Sequence, residues 1–148
     1  MNSIYDKASN DAIIARINQL TPETEGLWGK MNVDQMFKHC TSVIGVAFGE
    51  NEIKVNLMMR VLGRVSKNKV LNNEFLHNSP TAKEFVFIET YDFEQSRNEL
   101  IEKFSRFAKE GTHGIKTNNH PFWGKMSYED WDKLMWRHMD HHLRQFGF

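Results

Sequence analysis

Apolar residues recur at helical spacing in four long stretches of the chain, and residues that start or stop helices bound each stretch. The pattern predicts helices over about residues 10–20, 32–48, 93–109 and 127–145. Helices with one apolar face bury those faces against one another, so the pattern predicts an all-α fold, an antiparallel-rich four-helix bundle. A chain of 148 residues supports one core, and we expect a single domain over residues 1–148.

A fifth amphipathic stretch, at about residues 54–70, lies between the second and the third of these helices. Its basic side chains, from Lys54 to Lys69, are typical of a helix that lies on a membrane surface or in a partner's groove. Because the whole chain is neutral, we favour a short helix that caps one end of the bundle, with its charges in solvent. Residues 71–90 lose the helical pattern, and alternation at 85–90 predicts at most a short extended piece.

The same tetrapeptide, Trp-Gly-Lys-Met, occurs at residues 28–31 and at residues 123–126. Each copy stands directly before a residue that suits a helix N-cap, and a polar residue follows three positions later, as in a capping box. The two capping pairs are Asn32 with Gln35 and Ser127 with Asp130. The sequence therefore predicts that the helices after the two copies begin in the same way.

Composition narrows the classes of partner. The 19 basic and 19 acidic residues balance, so charge gives no general reason to expect binding to nucleic acid or to an anionic membrane. A single cysteine excludes an internal disulfide and fits a reducing compartment. The first residues lack the apolar run of a signal peptide, and no apolar run is long enough to span a bilayer. We expect a cytoplasmic domain.

The last predicted helix carries three of the seven histidines in five residues. Residues advance by about 100° each on a helix, so His138 and His142 share a face, and that face is the apolar stripe of the helix. Two imidazoles at this spacing can bind one divalent metal ion, but the ion needs a further ligand. His141 lies at the edge of the stripe and is an alternative ligand.

The third ligand can come from the helix predicted over residues 32–48. His39 is its only histidine, and it faces the apolar positions, where a lone histidine is more often a core residue than a ligand. Cys40 points about 100° away, and we interpret it as a small buried apolar residue. If the two histidine-bearing helices run antiparallel, all three histidines fall at one level; if they run parallel, they are offset by about 6–12 Å.

These motifs resemble the DinB/YfiT-like superfamily, and more narrowly a branch of it classed as a domain of unknown function. The resemblance rests on Trp-Gly-Lys-Met with His39 downstream, on His120-Pro-Phe-Trp-Gly, and on the closing His138-x-x-His141-His142-x-x-Gln145. It implies a four-helix bundle in which helices two and four run antiparallel. An extra short helix and an irregular segment then lie between helices two and three. It also implies a divalent metal ion, zinc or nickel, held by His39, His138 and His142.

Some members of that superfamily are thiol-S-transferases, isomerases or hydrolases, which implies a small-molecule substrate such as a thiol. Three histidines leave a coordination position open, as in catalytic zinc sites. Other residues that could line the pocket or orient a ligand are Gln145, Trp28, His120 and Trp123. The alternative is a non-catalytic bundle with a structural or vestigial metal site that acts through protein interaction, and a homodimer stays open.

Overall fold

The computed structural model describes residues 2–148, and in this part of the chain it contains five α-helices and one two-stranded sheet. The helices are α1 (Lys7–Gln19), α2 (Val33–Ala47), α3 (Leu57–Asn72), α4 (Phe93–Glu110) and α5 (Tyr128–Gln145). The strands β1 (Asn119–His120) and β2 (Gly124–Lys125) pair antiparallel. Short 3-10 helices cover Lys83–Phe85 and Gly111–Gly114. The mostly helical class was predicted correctly.

The ends of the helices follow local signals in the sequence. Both predicted capping boxes are present: the side chains of Asn32 and Ser127 accept from the backbone of Gln35 and Asp130, whose side chains accept in return. Helix α4 ends at Gly111, which has a φ of 57°, a conformation that glycine adopts without a steric penalty. The predicted boundaries of α2, α4 and α5 therefore lie within one residue or two of the observed ones.

The core lies where α1, α2, α4 and α5 face one another. Helix α4 packs against α1 and α2, and α5 packs against the same two helices. Trp131, Phe37, Phe104 and Phe107 are fully buried there. Burial of aromatic side chains of this size contributes about 2–3 kcal/mol each to the stability of the fold.

Helices α2 and α5 run in opposite directions, as hydrogen bonds at both ends show. Just before α2 begins, the backbone N–H of Leu27 donates to the carbonyl of Gln145 at the end of α5. At the other end of α2, the carbonyl of its last residue, Ala47, accepts from the backbone N–H of Thr117. The carbonyl of Thr117 in turn accepts from the indole N–H of Trp131 in the first turn of α5. This direction sets which residues of the two helices meet.

Residues 85–90 form no strand, which agrees with the expectation of at most a short extended piece: the 3-10 helix ends at Phe85, and Val86 has an extended backbone. The sheet lies at residues 119–125. The expectation about the amphipathic stretch at residues 54–70 was wrong. Helix α3 is not a short cap, because it runs for 16 residues along the outside, against α5 and β2. Leu71 near its end is buried, but five of its large apolar side chains are more than half exposed: Leu57, Met58, Val61, Leu62 and Val65. No helix in residues 2–148 is both long and apolar enough to cross a membrane.

Candidate metal centre

The structure brings His39 of α2 together with His138 and His142 of α5. One ring nitrogen from each residue lies within 4.8 Å of the other two, and the Nε2 atoms of His39 and His138 are 3.1 Å apart. Zinc–nitrogen bonds of about 2.1 Å in a tetrahedral site separate two ligand nitrogens by about 3.4 Å. His39 and His142 are buried and His138 is partly exposed. The three imidazoles could therefore bind one metal ion.

A hydrogen bond to a backbone carbonyl determines which ring nitrogen of His39 carries the proton. Nδ1 of His39 lies 2.8 Å from the carbonyl oxygen of Phe85, which can only accept a hydrogen bond. Nδ1 therefore carries the proton, and Nε2, which faces His138, presents a lone pair. A carbonyl that fixes the tautomer of a histidine in this way is the usual partner of a metal-binding imidazole.

The proton of His142 is located by a longer chain of contacts. The side-chain amide of Gln145 donates from Nε2 to the carbonyl of Trp28 at 2.9 Å, so its Oε1 must face His142. Oε1 lies 2.9 Å from Nδ1 of His142, which therefore donates to it. Nε2 of His142 is then the unprotonated nitrogen, as in His39. In both buried imidazoles the inner nitrogen thus keeps a lone pair that can bind a metal ion, while the outer nitrogen is held by a hydrogen bond.

His138 has no such anchor. Its Nδ1 is shielded from solvent and has no hydrogen-bond partner among residues 2–148. Its Nε2 faces the lone pair of His39, so a proton or a cation must stand between the two nitrogens. Burial and the neighbouring histidines hold the pKa of His138 well below its usual range. A neutral imidazole with its proton on Nε2 satisfies this contact, and a bound cation would take the place of that proton.

The glycine of the first Trp-Gly-Lys-Met tetrapeptide adjoins this network. Gly29 has a φ of 81°, and a Cβ atom at this position would lie 2.5 Å from Nε2 of Gln145. Gly124 in the second copy has a φ of 71°, so both copies share the left-handed backbone that favours glycine. Only the glycine of the first copy adjoins the three-histidine cluster, since a Cβ at Gly124 would meet Arg64 instead.

The remaining residues named from the sequence lie elsewhere. His141 is outside the three-histidine cluster, and its ring lies 5.8 Å from the ring of Trp28. His120 packs against Trp131, and Trp123 packs against His120, about 10 Å along α5 from His138. Cys40 is buried with its Sγ toward Met36, and burial raises the pKa of its thiol, as expected for an inert core residue.

Several contributors to the site were missed in the sequence. Phe85 acts through its backbone carbonyl, which no side-chain pattern can reveal. Phe75 packs edge-on against both His138 and His141, and His77 stacks on Trp28 at a centroid distance of 3.7 Å. Neither Phe75 nor His77 belongs to the three-histidine cluster.

A cavity of about 310 Å³ lies beside the cluster, on the outer side of α5. Phe75 separates the cavity from His138, and His141 forms part of its wall. A volume of this size fits a small molecule. The wall contains aromatic, basic and acidic side chains. The aromatic ones are Trp28, Phe75, His77, Trp136 and His141, the basic ones include Arg137 and Arg144, and the acidic ones are Glu74, Asp132 and Asp140.

The buried histidines predict a pH-dependent stability for the metal-free protein. Burial lowers the pKa of His142 from 6.5 to about 3, and that of His120 from 6.5 to about 4. An unfolded chain takes up these protons near pH 6.5, whereas the folded chain does not. The free energy of unfolding should therefore fall below about pH 6.5, by up to about 1.4 kcal/mol per pH unit and per group, and level off above about pH 7.5.

Urea unfolding of chelator-treated protein between about pH 7.5 and about pH 5 measures this slope. His142→Gln should reduce the slope, and His113→Gln, at an exposed loop position, should leave it unchanged. A free energy of unfolding that stays constant over this range would contradict the burial of neutral imidazoles.

Comparison with known proteins assigns the family. Searches of the curated proteins and of the solved structures gave no significant match. A scan against protein-family models matched residues 5–147 to a family described as "Protein of unknown function (DUF1569)". Because the match covers nearly the whole sequence, the chain belongs to the DUF1569 family.

Proposed function

We propose that this protein is a divalent-metal-dependent enzyme and that His39, His138 and His142 hold its metal ion. One observation carries the proposal: in His39 and His142 the outer ring nitrogens are engaged by oxygen acceptors, so the inner nitrogens turn lone pairs toward one point. Neutral histidines suit zinc and nickel, and we expect one of these two. Burial keeps the pKa of all three imidazoles low, so protons do not compete for them near neutral pH.

We further propose that the fold is a four-helix bundle of the DinB/YfiT-like kind, made of α1, α2, α4 and α5. Support comes from the pairwise packing of these helices and from the opposite directions of α2 and α5. Helix α3 lies outside this arrangement, in the long connection between α2 and α4. The bundle supplies two rigid helices as carriers of the ligands, which suits a preorganised site.

For the reaction we propose thiol transfer or hydrolysis of a small molecule. His39, His138 and His142 would hold the ion, which would supply Lewis-acid chemistry by lowering the pKa of a bound thiol or water molecule. In thiol transfer, the S–H proton is lost to solvent, sulfur bonds to an electrophilic carbon, and a leaving group departs with the bonding electrons. Gln145 holds His142 in the required orientation. Trp28, Phe75 and His141 wall a cavity beside the site, and a substrate bound there would reach the ion only past Phe75.

Reconstitution tests the function. Chelator-treated protein should show no turnover in a screen of small thiols with an electrophilic reporter and of small esters, and added zinc or nickel should restore it. His138→Ala should stay inactive after metal addition, whereas His113→Ala, at an exposed position, should behave as wild type.

Two results would overturn the proposed function. Full turnover by metal-free protein would remove the ion from the reaction. A large rise of the unfolding midpoint on metal addition, without turnover of any substrate class, would indicate the structural metal of a non-catalytic bundle.

A further inference from the structure

A second cavity, of about 560 Å³, lies between the start of α3 and strand β1, away from the three histidines. Its walls include three basic side chains, Lys54, Arg60 and Arg64, and no acidic one. None of the three forms an ion pair with a carboxylate of the described residues 2–148. The carboxylate of Glu84 accepts from the backbone N–H of Lys54, and Glu84 is not part of the wall.

The floor of this cavity holds a buried imidazole with a free donor. Nδ1 of His120 accepts from the backbone N–H groups of Phe122 and Trp123, so the ring proton resides on Nε2. His120 is only 5% exposed, and burial lowers its pKa to about 4, so the ring is neutral at physiological pH. Within residues 2–148, Nε2 has no hydrogen-bond partner, and it is left as a donor at a residue that lines the cavity.

The beginning of α3 adds further positive character. The side-chain oxygen of Asn56 caps the backbone N–H of Met59, which leaves the amide NH₂ of Asn56 as a donor in the wall. Helix α3 is 16 residues long, so its first turn carries the positive end of a helix dipole. Asn119 contributes a second side-chain amide. Donors and cations thus converge, and no carboxylate of the wall neutralises them.

We propose that this cavity is a binding site for a phosphate group, distinct from the metal centre. Arginine pairs bind phosphate oxygens in a bidentate manner, and neutral N–H donors complete the shell of an anion with several acceptor oxygens. The volume leaves room for a phosphorylated small molecule. The exposed apolar side chains of Leu57, Met58 and Val61 begin beside the cavity, so a phospholipid headgroup is a second source of the same chemistry.

Titration with inorganic phosphate at constant ionic strength tests the site, with chelator-treated full-length protein and nitrogen-15 NMR as the readout. The amide signals of Leu57 and Met58 and the imidazole Nε2–H signal of His120 should shift and saturate, while signals near His142 should not. Arg60→Gln combined with Arg64→Gln should weaken binding about ten-fold. Lys69→Gln combined with Lys109→Gln removes two exposed basic residues outside the cavity and should change binding less than about two-fold.

Arg64 packs beside Gly124, so Lys54→Gln combined with Arg60→Gln provides a second variant if the first is unstable. Vesicles of phosphatidylcholine alone and with phosphatidylglycerol identify the source. Binding only to the anionic vesicles, lost in the Arg60 variants, supports a headgroup; saturation by free phosphate supports a soluble ligand. Shifts that grow linearly with phosphate concentration, or that chloride reproduces, would overturn the site. So would a loss of affinity in the control variant, Lys69→Gln with Lys109→Gln, as large as that in the variant with Arg60→Gln and Arg64→Gln.

Discussion

Replacing His39 with alanine is expected to weaken zinc or nickel binding by about a hundred-fold or more. Structural zinc sites with four ligands bind with about 10–16 kcal/mol, or about 3 kcal/mol per ligand, which corresponds to a factor above one hundred. His39 is the only member of the three-histidine cluster that α2 supplies, so its loss would leave two histidines of a single helix. Competition against a chromophoric chelator measures the dissociation constant directly.

His113→Ala is the matched control, because His113 is exposed and lies outside the cluster. His39→Gln provides a second variant, since it retains polarity and fills more of the buried space than alanine does. Unchanged affinity in both variants, with the fold intact by circular dichroism, would exclude His39 as a ligand. Transfer of the ligand role to His141 would show as an intermediate loss in His39→Ala and a further loss when His141→Ala is added.

The helices and the shared face of two histidines could be predicted from the sequence because both depend on local rules. The apolar period of α5 places His138 and His142 one turn apart whatever the rest of the chain does. Asn32 and Ser127 cap their helices through contacts with residues three positions away. Such short-range contacts need no knowledge of the tertiary fold.

The position of His39 relative to the pair could be predicted only conditionally. The distance of His39 from the pair on α5 depends on the relative direction of two helices that are separated by some eighty residues. The apolar periodicity of either helix carries no information about that direction. The resemblance to a known superfamily suggested the antiparallel arrangement. Hydrogen bonds from Leu27 to Gln145 and around Ala47 now give it a physical basis.

The partners that orient the imidazoles were beyond reach for a different reason. The carbonyls of Phe85 and Trp28 belong to backbone outside the α-helices and strands, where any residue type offers the same acceptor. Similarly, His120 was named from the sequence as a residue that could line the pocket, and the structure places it at the β1–β2 turn in the lining of the second cavity, away from the three histidines. Turn geometry of this kind depends on backbone angles that composition does not specify.

The exposed face of α3 shows a limit of periodicity itself. A period of 3.6 residues indicates a face, but it does not say whether anything covers that face. Helix α3 packs through Gly63, whose missing side chain lets the helix approach the carbonyl of Phe122 closely. This close contact turns Val61 and Val65 outward instead of toward the core. The expectation of a capping helix failed because the glycine, not the apolar stripe, makes the contact.

Replacing Gly29 with alanine is expected to weaken metal binding by about ten- to a hundred-fold, although Gly29 touches no metal ligand. The added Cβ would lie 2.5 Å from Nε2 of Gln145, a buried side chain that hydrogen bonds hold at both ends. When Gln145 moves, His142 loses the acceptor that keeps its proton on Nδ1. The left-handed φ of 81° adds about 1–2 kcal/mol of backbone strain, which should also lower the unfolding midpoint.

Gly147→Ala separates these two effects, because Gly147 has a similar φ of 87° and nothing within 4 Å of the added Cβ. It should cost stability without changing metal affinity. Gln145→Ala should reproduce the affinity loss of Gly29→Ala, and the double variant should lose no more than either single one, because both act through the same hydrogen bond to His142. Equal affinity losses in Gly29→Ala and Gly147→Ala would mean that backbone strain alone perturbs the site. An additive loss in the double variant would show that Gly29 acts by a route that does not pass through Gln145.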